Sequence, residues 1–168
     1  MRGWHPRWIA GMLRLAALGM TAVSVPAAEE LVADFEGPDF GDWTVSGTAF
    51  GTAPAAGALP EQSAVGGFRG RGFANSFHGQ DRATGRLTSP EFTVSRRYLS
   101  FLIVGGEEVG ATCVNVTVEG RVVRSATGRE DDFLNTATFD LGEFVGRKAR
   151  IEIVDAYAGG WGHISADH

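Results

Sequence analysis

Two short stretches of the chain concentrate residue types suited to holding a polar ligand. Asn75-Ser76-Phe77-His78-Gly79-Gln80-Asp81 gathers amides, a hydroxyl, an imidazole and a carboxylate around one aromatic ring. Gly159-Gly160-Trp161-Gly162-His163-Ile164 sets an indole among glycines, next to a second imidazole. Sugars are held by aromatic faces against their C–H groups, while amides, carboxylates and imidazoles bond their hydroxyls. Asn75, Ser76, His78, Asp81, Trp161 and His163 are therefore candidate carbohydrate-binding residues. An ordinary role is also open to them: Trp161 can plug one end of a folded domain and His163 can tie a loop. Three glycines beside a tryptophan give up packing and chain entropy, and they allow close backbone approach or a bend that displays the ring.

Signatures of reaction chemistry are absent from the sequence. There is no H-E-x-x-H, C-x-x-C, G-x-S-x-G or P-loop. Gly67, Gly70 and Gly72 cluster, but no helix follows whose N-terminus could hold a phosphate. Glu107-Glu108 and Asp131-Asp132 are adjacent pairs. Neighbours on an extended chain point to opposite faces, so neither makes the facing carboxylates that glycoside hydrolysis needs. His78 and His163 lie near Asp81 and Asp167, without a spacing diagnostic of a metal. Asn115-Val116-Thr117 has the form of a glycosylation site, but a mid-strand asparagine is the better reading.

The elements that must position these residues are strands. No 3.6-residue apolar period follows Ala28. β-type runs are expected over Leu31–Phe35, Trp43–Val45, Gly72–Phe77, Gly85–Thr88, Tyr98–Val104, Thr112–Glu119, Arg121–Ala126, Ala137–Asp140 and Ala149–Val154. Val114, Val116 and Val118 alternate with polar residues, as do Ala149, Ile151 and Ile153, which is the pattern of half-buried antiparallel strands. Glu119-Gly120 reads as a two-residue hairpin turn. Recurrent turn signals predict an all-β, antiparallel β-sandwich. Thr48–Gly72 is too long for a tight turn, so it should be functional or disordered, and Gly128–Asn135 should be a surface loop. Cys113, the single cysteine of the 168 residues, excludes a disulfide framework and reads as a small buried hydrophobe.

Residues 1–27 read as a signal peptide. Arg2, Arg7 and Arg14 precede the apolar run Leu15–Val25, and Pro26-Ala27-Ala28 supplies small residues for cleavage after Ala27. Eleven apolar residues fall short of the roughly 20 that span a bilayer. The mature domain, 28–168, would be secreted or periplasmic, with no membrane insertion after cleavage. Of the 15 basic residues 12 remain against 20 acidic ones, a net charge of −8. That acidity disfavours nucleic acid and anionic lipid as partners.

An ordered set of motifs runs from Leu31 to His168. It comprises Phe35-Glu36-Gly37, Gly41-x-Trp43, Asn75-Ser76, the G-x-L-T-S-P-x-F of residues 85–92, the F-L-I-x-G-G of residues 101–106, the V-x-G-x-V-V-R-x-A-T-G of residues 118–128, and the G-G-W-G-H-I of residues 159–164. With this set the chain resembles the non-catalytic β-sandwich module found beside the catalytic propeller of bacterial levanase-like glycosidases, the family of levanases, inulinases and invertases. The resemblance implies a jelly-roll or galactose-binding-like accessory module. Its ligand would be a fructan such as levan or inulin, or a related glycan, and its partner a glycosidase catalytic domain. The W-M-N-D-P-N-G, R-D-P and E-C motifs of the catalytic propeller do not occur, so hydrolysis is not implied. The module usually runs a few apolar residues past Asp167. The last strand is therefore expected to be unfinished, with an unpaired edge, in a lone module, a truncated gene or a fragment of a longer hydrolase. A structural module that docks on a partner domain and binds no sugar is the remaining alternative. Glu36 near the first strand and Asp167 near the last are candidate ligands of a structural calcium that clips the termini. The signal-peptide reading predicts that the exported protein begins at Ala28. Intact mass of the exported form checks this, and a retained Met1 would refute it.

Overall fold

The computed structural model describes residues 29–168, so the predicted signal segment lies outside the described residues. Among the described residues no helix is long and apolar enough to cross a membrane. The unit Leu31–His168 is an all-β antiparallel sandwich of two sheets. Its strands are β1 (Thr44–Gly47), β2 (Ala74–Asn75), β3 (Gly85–Thr88), β4 (Phe92–Thr93), β5 (Tyr98–Gly105), β6 (Thr112–Val118), β7 (Arg121–Thr127), β8 (Asp131–Asp140), β9 (Lys148–Asp155) and β10 (Ile164–Asp167). One sheet has the order β1-β3-β9-β6-β7, with β4 also on β9; the other is β2-β10-β5-β8.

Alternation decides which side chains enter the core. Val114, Val116 and Val118 of β6 and Ala149, Ile151 and Ile153 of β9 face inward. They meet Ala74, Phe101, Ile103, Phe139, Ile164 and Ala166 of the other sheet. Leu87 of β3, fully buried, completes the layer. β6 turns into β7 through Glu119-Gly120, both at positive φ, as the hairpin reading required. Asn115 lies mid-strand at 6% exposure. Cys113 is fully buried, and burial pushes its thiol up.

Several expectations need correction. Leu31–Phe35 forms no strand. Its pattern reflects Ala33 and Phe35 closing over the core while Leu31 and Val32 stay exposed. The expected surface loop at Gly128–Asn135 is largely the start of β8, which pairs Asp131 with Gly105 through a bulge. Between Asp131 and Asn135 only Leu134 is buried, so the stretch carries no apolar period to read. Thr48–Gly72 is neither a disordered loop nor an open one: with Val65 and Phe68 it covers Leu102, Val104 and Leu134 on the outer face of the smaller sheet. β10 is not an unpaired edge either. It lies between β2 and β5, and all four of its residues are buried.

Leu87→Ala removes a fully buried side chain from the centre of this layer. It should cost about 3 kcal/mol, read as a lower urea midpoint with an unchanged slope. A loss under roughly 1 kcal/mol would show that the sheets can collapse over the gap.

Candidate functional site

The two polar clusters meet at one end of the sandwich. After β2 the chain enters a short 3-10 turn, Gln80–Arg82, which carries Asp81. After β9 it makes a tight turn, with Gly162 N–H donating to Gly159 O at 2.7 Å, before entering β10. His163 Nδ1–H donates to Asp81 Oδ1 at 2.7 Å and joins the two segments. The imidazole is almost fully enclosed, while about a third of the Asp81 side chain remains accessible. The Phe77 ring meets the imidazole edge-on, with centroids 4.9 Å apart. Trp161 stacks on the same imidazole at 5.7 Å and 25°.

Trp161 has φ +61°, at the turn position where glycine or asparagine is usual. A bulky side chain held there is strained, and such strain collects at functional sites. The flanking glycines have separate reasons. A Cβ on Gly159 would enter the Tyr157 ring, and one on Gly162 would strike the carbonyls of Tyr157, Gly159 and Asp81. These close approaches hold the Tyr157 ring, 37% exposed, against Gly159 of the turn that carries the half-exposed Trp161. Tyr157 was not singled out from the sequence. Its only signal there was its place two residues before a glycine-rich turn.

The other predicted residues have internal partners. Ser76 is fully buried, and its Oγ accepts from Ile164 N–H at 2.7 Å. Asn75 points to the opposite face of β2, where it is bonded to Gln62 of the covering segment and to Phe77 N–H. His78 lies against Gly51. Glu36 accepts from the N–H groups of Arg71 and Gly72 at 2.6 and 2.9 Å. Asp167 accepts from Arg69 N–H at 2.7 Å and from His168 N–H at 2.9 Å. Both candidate calcium ligands thus converge on the same segment, 69–72, as acceptors for backbone donors. Among the described residues no group of three or more His, Cys, Asp or Glu could hold a metal ion.

Asp155 was missed altogether. It ends β9 on the core-facing side, at 1% exposure. Neither of its oxygens has a hydrogen bond of full geometry. Burial pushes its carboxyl up to about 7, the nearby Asp81 charge adds to this, and the Ser76 hydroxyl and Tyr157 N–H pull it back. A groove of about 800 Å³ on the outer face of the larger sheet contrasts with this end. No aromatic ring lines it, and two of its charges, Arg86 and Glu152, are paired at 3.2 Å.

No family model matches the chain. Over 137 residues, 80% of its length, it is 36% identical to a protein of Aspergillus rugulosus named "Putative glycosyl hydrolase ecdE". The chain spans 20% of that relative. Among solved structures it is similar to the K3 cleaved adhesin domain of Lys-gingipain from Porphyromonas gingivalis w83. The TM-score is 0.51 and the identity 16%, over 83% of this chain and 97% of that one. At that identity the likeness is one of fold. A family 35 carbohydrate binding module from an environmental isolate aligns at TM-score 0.38 and 15% identity, over 74% of this chain and 93% of that one, too distantly to argue from.

The Glu36 carboxyl is held below its ordinary range, first by the Arg71 and Gly72 N–H groups. A depressed native value means stability that is present above the ordinary glutamate range and lost as pH falls through the native one. Glu36→Gln should therefore lower the melting temperature at neutral pH, with the difference shrinking below about pH 4. A chelator should leave the wild-type melt unchanged. A fall on adding chelator would support the calcium reading.

Proposed function

We propose that the chain is a non-catalytic carbohydrate-binding module, exported, of the galactose-binding-like kind attached to glycoside hydrolases. The observation that carries this reading is the end of the sandwich where Trp161, strained at positive φ, stacks on an imidazole fixed by Asp81. Trp161 and Tyr157 offer aromatic faces to sugar C–H groups, and the accessible part of Asp81 accepts from hydroxyls. His163 and Ser76 position these groups from beneath. Asn75 acts through the segment that covers the smaller sheet. The relative named as a glycosyl hydrolase supports the setting, since this chain corresponds to one fifth of it. A fructan is the first ligand to test, on the strength of the levanase-like motifs.

Such shallow sites bind at about the micromolar to millimolar level. A catalytic domain on the same polypeptide would be brought to its substrate by an affinity of that size. Titration of the chain with levan, inulin and xylan should give saturable binding to one of the fructans. Trp161→Ala should weaken it at least about tenfold, equivalent to 1.4 kcal/mol, with the melting temperature kept within a few degrees. Absence of binding to any glycan by a folded chain would favour a structural module that docks on a partner domain. Trp161→Ala would then impair docking alone.

A further inference from the structure

We propose that Asp155 makes the Trp161 end of the sandwich proton-responsive: its buried carboxyl ionises as the solution turns alkaline, loosens that end and weakens ligand binding there. The ligand half rests on the glycan reading above, and the stability half does not.

The contrast with Asp167 shows why Asp155 is unusual. Both are 1% exposed. Asp167 accepts from two backbone N–H groups, at 2.7 and 2.9 Å. Asp155 has no such partner at good geometry. A carboxylate taken out of water must be paired, bound to a cation or protonated. The charged side chain that acts on Asp155 is Asp81, of the same sign. The described residues offer no metal-holding group of three. Protonation is what remains, and the upward shift to about 7 agrees with that geometry.

The neighbours of Asp155 are the groups that hold the site. Beside it in the ladders stand Gly85 of β3 and Thr112 of β6, neither of which titrates. Ser76 reaches it from beyond β2, and the Tyr157 N–H from the exit of its own strand. Asp81 faces it from the 3-10 turn, and His163 is linked to it through Asp81. Ser76 Oγ already accepts from Ile164 N–H, so its own hydrogen is available to Asp155. A charge on Asp155 thus draws on the serine that anchors the start of β10 and repels the carboxylate that fixes His163. Trp161 rests on that imidazole.

The sign follows from linkage. The native carboxyl binds its proton more tightly than the unfolded one, whose ordinary value is 3.8. Between about pH 4 and pH 7 the native state holds a proton that the unfolded state has lost, so stability falls as pH rises across that window and levels off above it.

Denaturation of the full chain between about pH 5.5 and pH 8.5 should show the unfolding constant rising on the order of thirtyfold. Asp155→Asn should flatten the profile. Asp81→Asn removes the like charge and should move the midpoint to lower pH, which decides the matter if Asp155→Asn fails to fold. A flat wild-type profile would overturn the proposal, as would an equal slope in Asp155→Asn or an unmoved midpoint in Asp81→Asn. Levan titration at both ends of the range should give several-fold weaker binding at the alkaline end in the wild type alone. Equal affinity at both ends would overturn the ligand half. No levan binding at any pH would defeat the glycan reading and that half together, while the denaturation profile would still decide the stability half.

Discussion

β10 lies between β2 and β5 with every residue buried, so its backbone must find its partners inside the protein. Its inward residues, Ile164 and Ala166, complete the core between the sheets. Its outward residues, Ser165 and Asp167, need a cover, which the segment between β1 and β2 provides. Asp167 takes an N–H from Arg69, Asn75 bonds Gln62, and Glu36 holds Arg71 and Gly72. β10 and the adjoining end of β5 are therefore buried on both faces although the sheet is antiparallel, and the long connection serves there as a third layer.

The same insertion builds the site. The chain leaves the larger sheet at Asp155 and must enter the smaller one at Ile164, crossing the end of the sandwich in eight residues. Close packing against Tyr157 and the Asp81 turn leaves room only for glycine at positions 159 and 162, and the turn between them drives Trp161 to positive φ. The indole is displayed because the crossing is tight. His163 is the last residue before β10, and its bond to Asp81 fixes the crossing to the turn that follows β2.

Electrostatics sets three acids of the chain apart, in two ways. Glu36 and Asp140 sit among backbone N–H groups and arginines, which hold their carboxyls low and make their charge stabilising. Asp155 closes a core strand where no cation acts on it and the Tyr157 N–H and Ser76 hydroxyl reach it only at poor geometry. A strand that ends in an acid on its apolar face breaks the pattern that folds the rest of β9, and such breaks mark places where something other than packing is served.

Much of this was legible along the chain. Alternating apolar residues in β6 and β9 gave their inward faces directly, because a period of two has one buried solution on a sheet. The Glu119-Gly120 hairpin was legible for a similar reason: its turn chemistry is local. The two polar clusters could be marked as candidates from residue types, since sugar-like chemistry needs rings and hydrogen-bonding groups together. Their sorting was not legible. Asn75 and Ser76 are neighbours in sequence, yet they face opposite sides of β2 and are both buried, and His78 turns to Gly51. The pairing of Asp81 with His163, 82 positions away, depends on β2 and β10 lying side by side. The isolation of Asp155 depends on what three strands and two loops fail to place near it. Residue types and their alternation set which faces are apolar and which stretches are rich in ligand-binding groups. Contacts between distant segments decided which of those groups reach solvent, which hold the fold, and which carboxyl is left without a well-aligned partner, because burial and electric field are properties of the packed chain.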